Sequence, residues 1–127
     1  MSGPVWLEVG EIYAIHEFML SRFGGAVGVR DDGLLQSALA RPQQLFTYEE
    51  PAPDLCGLAA AYAAGIVKNH PFVDGNKRTG FTAAGVFLLN NGLELTASEV
   101  EAASMVIALA ASEMDERTFA QWLRERT

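Results

Sequence analysis

The sequence predicts an all-α domain of about six helices. Three observations carry that reading. Apolar side chains recur every three or four residues in six separate stretches, no apolar-polar alternation runs longer than a few residues, and helix-starting or helix-stopping residues stand at the ends of the stretches. With 127 residues, half of them hydrophobic, the chain reads as one domain, residues 1–127, long enough to bury a real core.

In chain order, residues 8–23 place Ile12, Ile15, Met19 and Phe23 on one face, and Gly24-Gly25 supplies a stop. His16 lies beside that stripe, where a packed, hydrogen-bonded histidine is the ordinary outcome, so we keep it outside the candidate site. After a glycine-rich link, Asp31 or Asp32 can cap a short helix carrying Leu35, Ala38 and Leu39, which Pro42 ends. Residues 42–53 hold three prolines and Tyr48-Glu49-Glu50 with no period, and read as the main loop. Asp54 caps the next helix, which runs to about Asn69 with Leu55, Leu58, Tyr62, Ile66 and many alanines; side chains that small suit a buried central helix. A further helix runs to Asn90 and closes at Asn91-Gly92. After an extended link over 93–96, Ser98-Glu99-Val100-Glu101 forms a capping box before Val100, Ala103, Ile107 and Ala111. Asp115 begins a last helix with Phe119, Trp122 and Leu123, and these two final helices read as packing elements.

Nine basic against sixteen acidic side chains give a net charge of −7, which argues against a protein that binds nucleic acid by neutralising its phosphates. The charge is unevenly spread. Between Leu55 and Leu93 the only charged residues are Lys68, Asp74, Lys77 and Arg78, a local cationic island that suits a small anionic ligand better than a long polyanion. The single cysteine, Cys56, forbids an internal disulfide and reads as a small buried apolar residue. Met1-Ser2-Gly3-Pro4 shows no leader pattern, and the longest apolar run, residues 55–67, is too short to span a bilayer. The expectation is a soluble cytoplasmic protein that does not associate with membranes.

One stretch gathers the chemistry: His70-Pro71-Phe72-Val73-Asp74-Gly75-Asn76-Lys77-Arg78-Thr79-Gly80. Pro71 disfavours the α conformation at His70, Asp74-Gly75 is turn chemistry, and helical spacing resumes from Asn76. Gly75, Asn76, Lys77 and Arg78 therefore stand at a helix N-terminus, where free backbone N–H groups and the dipole attract an anion. Gly75 permits close backbone approach, and Lys77 and Arg78 add charge and fork geometry suited to phosphate. Asp74 would repel a polyphosphate unless a divalent cation lay between, which points to a Mg²⁺-nucleotide. His70 remains free to take a proton from a hydroxyl of a second substrate. A zinc site would need three or four ligands, and His70 and Asp74 alone fall short.

This run resembles the Fic family motif H-x-F-x-[D/E]-G-N-G-R-x-x-R, and more closely its death-on-curing (Doc) branch, with His70, Phe72, Asp74, Gly75, Asn76, Lys77, Arg78, Thr79 and Gly80 all fitting. The segment from Gly28-Val29-Arg30-Asp31 to Ala40-Arg41-Pro42 is similar to a second shared stretch, so the resemblance extends from about Ile12 to Gly92. Two positions depart from the AMP-transferring form: Lys77 replaces its second glycine and Phe81 its last arginine. The Doc resemblance implies a toxin of a toxin-antitoxin pair that moves the γ-phosphate of ATP, with Mg²⁺, onto a Ser or Thr hydroxyl of a target protein. The expected target is translation elongation factor Tu, and the expected outcome arrest of translation. It implies His70 as general base, Asp74 as metal ligand and Gly75, Asn76, Lys77 and Arg78 as the nucleotide clamp, within a catalytic loop over 70–80. The loop over 42–53 takes the place of a target-aligning flap, and a plain connection is the alternative. Fic-type AMP transfer, or a silent protein-binding module, are the other readings. No self-inhibitory [S/T]-x-x-x-E-[G/N] hexapeptide occurs, so inhibition is expected from a separate antitoxin chain.

Overall fold

The computed structural model describes residues 3–127, so Met1 and Ser2, the start of the stretch read as lacking a leader, lie outside the described residues. Six helices follow in order: α1 (Val9–Phe23), α2 (Asp32–Tyr48), α3 (Leu55–Asn69), α4 (Asn76–Asn90), α5 (Glu99–Ala110) and α6 (Glu116–Glu125). Among the described residues the only extended pairing is an isolated antiparallel bridge, Val29 to Phe72. No helix among them is long and apolar enough to cross a membrane.

The organising element is α3, buried from Leu58 to Val67 and packed against α2, α4, α5 and α6. Its many alanines contribute: where the side chains are small, neighbouring axes can come close. The limit is reached at Gly65, where an added Cβ would lie 3.1 Å from the Ala38 Cβ and 3.2 Å from its Cα on α2. The obstacle is backbone, which cannot swing aside. Gly65→Val should therefore lower stability by about 3 kcal/mol, read as a lower urea midpoint at unchanged slope. Around α3 the core closes with Tyr62, Phe87, Phe119, Leu88, Leu109 and Leu123, all fully buried. Tyr62 satisfies its buried hydroxyl by accepting the Leu7 N–H at 3.1 Å. That bond also lays the segment before α1 across the core, where Trp6 stacks on Phe87 and meets Phe46 edge-on.

The caps follow the sequence closely. Asp31, Asp54, Ser98 and Asp115 each accept a backbone N–H three residues on, opening α2, α3, α5 and α6. The box expected at Ser98 is half formed. Ser98 accepts from Glu101 N–H, but the Glu101 carboxylate turns away to a two-point pair with Arg126. An ionic fork outweighs a neutral backbone N–H as partner.

The second helix is the main correction. It does not end at Pro42 but runs through it to Tyr48, so residues 42–48 of the expected 42–53 loop are helical and only the stretch after Tyr48 remains a connection. Pro42 leaves the Ala38 carbonyl without its helical donor, yet Pro42 itself is buried and Phe46, one turn on, is packed against the core beside Trp6. Burial of these apolar side chains outweighs one missing hydrogen bond.

Candidate active site

The site is built where α3 hands over to α4. Helix α3 cannot continue because Pro71 has no N–H, and His70 closes it with φ 52° and ψ 53°, a left-handed conformation unusual for a side chain with a Cβ. The His70 N–H still donates to Ile66 C=O at 3.1 Å. Its side chain is exposed. The sequence anticipated only that His70 would leave the right-handed region; an extended backbone there would have aimed the ring elsewhere.

From His70 the chain dips into the core and returns. Phe72 is fully buried, with its ring stacked on His16 at 3.8 Å between centroids and 10° between planes. Asn76 is buried as well, and its amide grips Phe72 at both ends: Oδ1 accepts the Phe72 N–H and Nδ2 donates to the Phe72 C=O, each at 3.0 Å. This shifts the role expected for Asn76. Its side chain is committed to the loop, and what remains for an anion is its backbone N–H. Gly75 precedes it at φ 79°, a turn that opens α4 at the cost of no side-chain clash.

Asp74 points outward and is held by the backbone. Its Oδ2 accepts the Ala26 N–H at 3.2 Å and its Oδ1 the Gly75 N–H at 2.9 Å. Those two bonds, with the Arg78 and His16 charges adding to them, hold its carboxyl below the usual carboxylate range despite some desolvation. Room for the Ala26 contact exists because the neighbour is glycine: a Cβ on Gly25, itself at φ 127°, would fall 2.8 Å from Asp74 Oδ2. So Gly24-Gly25 does more than stop α1. From α1, His16 donates through Nε2 to the Asp74 C=O at 2.8 Å, which is the packed, bonded histidine expected, though its partner is the candidate loop. His16→Phe would keep the stack on Phe72 and lose that bond. It should cost about 1 kcal/mol, measured by thermal unfolding.

Past Asp74, the backbone N–H groups of Asn76, Lys77 and Arg78 find no acceptor among the described residues. Lys77 and Arg78 are exposed and make no ion pair among them; Arg78 rests over the Phe23 ring, 4.2 Å from its centroid. His70, Asp74, Gly75, Asn76, Lys77 and Arg78 all line one cavity of about 660 Å³. The structure thus brings the six together, as neighbours in sequence would allow.

The rest of the cavity comes from elements that carried no chemical signal. Phe18, Met19 and Phe23 of α1 form one wall, and Ala102, Val106 and Ile107 of α5 face them. Helix α5, read as packing alone, is also a wall of the cavity. Arg30, in the link before α2, reaches the same loop from behind: Nε donates to the His70 C=O at 2.7 Å and Nη2 to the Asn69 C=O at 2.8 Å. Nothing in spacing or composition marks that contact.

Among the described residues no three His, Cys, Asp or Glu side chains gather to hold a metal. Asp74 alone still fits Mg²⁺ bound with a polyphosphate, since that ion commonly takes one carboxylate and completes its shell from phosphate and water. Its carboxylate is charged, oriented by two backbone donors and set beside the free N–H groups of α4.

Comparison with known proteins agrees with the motif. A family model described as the Fic/DOC family matches residues 6–88. The chain is 34% identical over 114 residues to the "Protein kinase doc" of Escherichia phage P1, covering 90% of this chain and 89% of that one. It is 48% identical over 75 residues to the "Toxin Doc" of Mycolicibacterium smegmatis, over 59% of this chain and 58% of that relative.

Proposed function

The chain belongs to the Fic/DOC family, and on that footing we propose that it is a Doc-like toxin acting as a protein kinase, which transfers the γ-phosphate of ATP to a Ser or Thr hydroxyl of a target protein. The observation that supports this most is the end of the cavity where three backbone N–H groups without an acceptor among the described residues, Lys77 and Arg78 stand beside Asp74.

In this reading the terminal phosphates lie on the N-terminus of α4, with the Lys77 ammonium and Arg78 guanidinium closing around them. Arg78 has no carboxylate to leave behind among the described residues, so turning it from Phe23 to a phosphate is cheap. Mg²⁺, held by Asp74 when the nucleotide is bound, supplies neutralisation of phosphate charge. His70, at the cavity edge with its ring exposed, accepts the proton of the target hydroxyl as the oxygen attacks phosphorus. The remaining acceleration is positioning and charge neutralisation, as phosphoryl transfer requires.

AMP transfer would place the β and γ phosphates where an arginine could hold them, at position 81. Phe81 stands there instead, its ring 6.2 Å from Trp122, and Lys77, lining the cavity, carries a side chain where the AMP-transferring form has a glycine. Both features support the opposite orientation of the nucleotide, γ-phosphate toward His70. The target is elongation factor Tu in a cytoplasmic setting, and the inhibitor a separate antitoxin chain. The test is intact-mass spectrometry of elongation factor Tu after incubation with the protein, ATP and Mg²⁺. One added phosphate, absent with His70→Ala, is the expected result; an added AMP would overturn the orientation, and no adduct would overturn the target.

A further inference from the structure

We propose that Arg30 is a positioning residue for His70: its guanidinium, forked across two successive carbonyls, fixes the left-handed turn that presents the imidazole to the cavity. The inference rests on the reading of His70 as general base, and adds a residue outside the motif to that site.

His70 is an unfavourable place for the backbone twice over. A residue with a Cβ rarely holds φ 52°, and a following proline restricts it further. Something must over-determine the turn. The His70 N–H, bonded within α3 to Ile66, ties one edge of the peptide plane after Asn69, and the plane after His70 has no N–H because Pro71 follows, so what is left to hold is the carbonyl edge of each. Arg30 takes both, donating from Nη2 to Asn69 C=O at 2.8 Å and from Nε to His70 C=O at 2.7 Å. Its own N–H donates to Pro71 C=O at 2.7 Å, and the Asp31 N–H does the same at 3.0 Å. Three consecutive carbonyls, 69 to 71, are thus held from one short segment. That segment is itself anchored: Val29 bridges Phe72, and Asp31 caps α2.

The residue type matters. The last carbonyls of a helix are the negative end of its dipole, which a cation complements, but a lysine would bring its donors on one freely rotating nitrogen, with no fixed angle between them. Guanidinium is flat, with Nε–H and Nη–H pointing the same way, and so fixes the angle between the two peptide planes as well as their position. Among the described residues Arg30 makes no ion pair that would give its charge another purpose.

The test compares Arg30→Ala and Arg30→Lys with the unchanged protein, and with Asp115→Ala, which removes the cap of α6, leaves the Arg30 fork in place and supplies a loss of stability alone. Transfer of phosphate is followed at saturating and limiting ATP, and the backbone conformation of His70 by its ¹³Cα and ¹³Cβ shifts in NMR. In Arg30→Ala we expect kcat to fall about 10²-fold, the scale of a misplaced reacting group, with KM for ATP changed less than twofold. The His70 shifts should lose their left-handed signature, and Arg30→Lys should recover part of both. Asp115→Ala should lower the melting temperature and keep kcat. Left-handed shifts retained in Arg30→Ala would overturn the inference whatever the activity. So would a kcat loss matched by Asp115→Ala at equal stability. If the unchanged protein transfers no phosphate, the functional reading falls, while the shifts still decide what Arg30 does to the turn.

Discussion

Replacing His70 by alanine is expected to lower phosphate transfer by about 10²–10⁴-fold, the usual contribution of a general base, while ATP binding stays within about twofold. The two effects separate because the groups are separate. The imidazole is exposed and no hydrogen bond engages it among the described residues, whereas the nucleotide clamp lies on backbone N–H groups and the Lys77 and Arg78 side chains beyond the turn. The fold should be little affected, since the bonds that hold position 70 run through its N–H and C=O, which alanine keeps. Rates from quenched-flow or endpoint phosphorylation, beside ATP affinity from calorimetry, check the claim. Unchanged transfer would remove His70 from the role of base; ATP affinity lost in step with transfer would make it a binding group instead.

The second large effect is expected at Asp74. Asp74→Ala should reduce transfer by about 10²–10³-fold, the scale of losing one preorganised charge-stabilising group, and should flatten its dependence on Mg²⁺ concentration. Asp74→Asn keeps a similar shape and an oxygen that can accept one of the two backbone N–H bonds, so it separates charge from scaffold. Both variants should lose activity, and only Asp74→Ala should loosen the segment around Ala26. The pH dependence follows from the same contacts. Donation from the Ala26 and Gly75 N–H groups depresses the Asp74 pKa, so the carboxylate favours the fold above the ordinary unfolded value, near 4, and that contribution fades as pH falls through the lower folded value. Activity measured between pH 5 and 9 should therefore show no limb belonging to Asp74. An undiminished Mg²⁺ response in Asp74→Ala would end its assignment as the metal ligand.

What the sequence disclosed, and what it withheld, divides along contact distance in the chain. Helix starts were legible at Asp54, Ser98 and Asp115 because a cap bonds three residues away. The six candidate site residues were legible because a turn entering a helix necessarily brings residues 70–78 into one neighbourhood. Pro42 misled because a local rule met a non-local reward, the burial of Phe46 beside Trp6. The supports of the loop were invisible for the opposite reason. Arg30 reaches His70 across 40 residues, Ala26 reaches Asp74 across 48, and His16 reaches Asp74 across 58, and such pairings leave no period in a single chain. Helix α5 disguised a cavity wall as a core face because alanine, valine and isoleucine serve both.

The isolated Val29–Phe72 bridge, with the bonds on either side of it, has a bearing on how far the motif can travel. Eleven contiguous residues look like a cassette that could be moved to another helical hairpin, yet the carbonyls of residues 69–71 are claimed by Arg30 and Asp31, and Val73 N–H is claimed by Gly28. A graft of 70–80 alone would arrive without those partners. The transplantable unit is two strings of sequence, 25–31 and 69–80, and a host must offer both with α1 behind them.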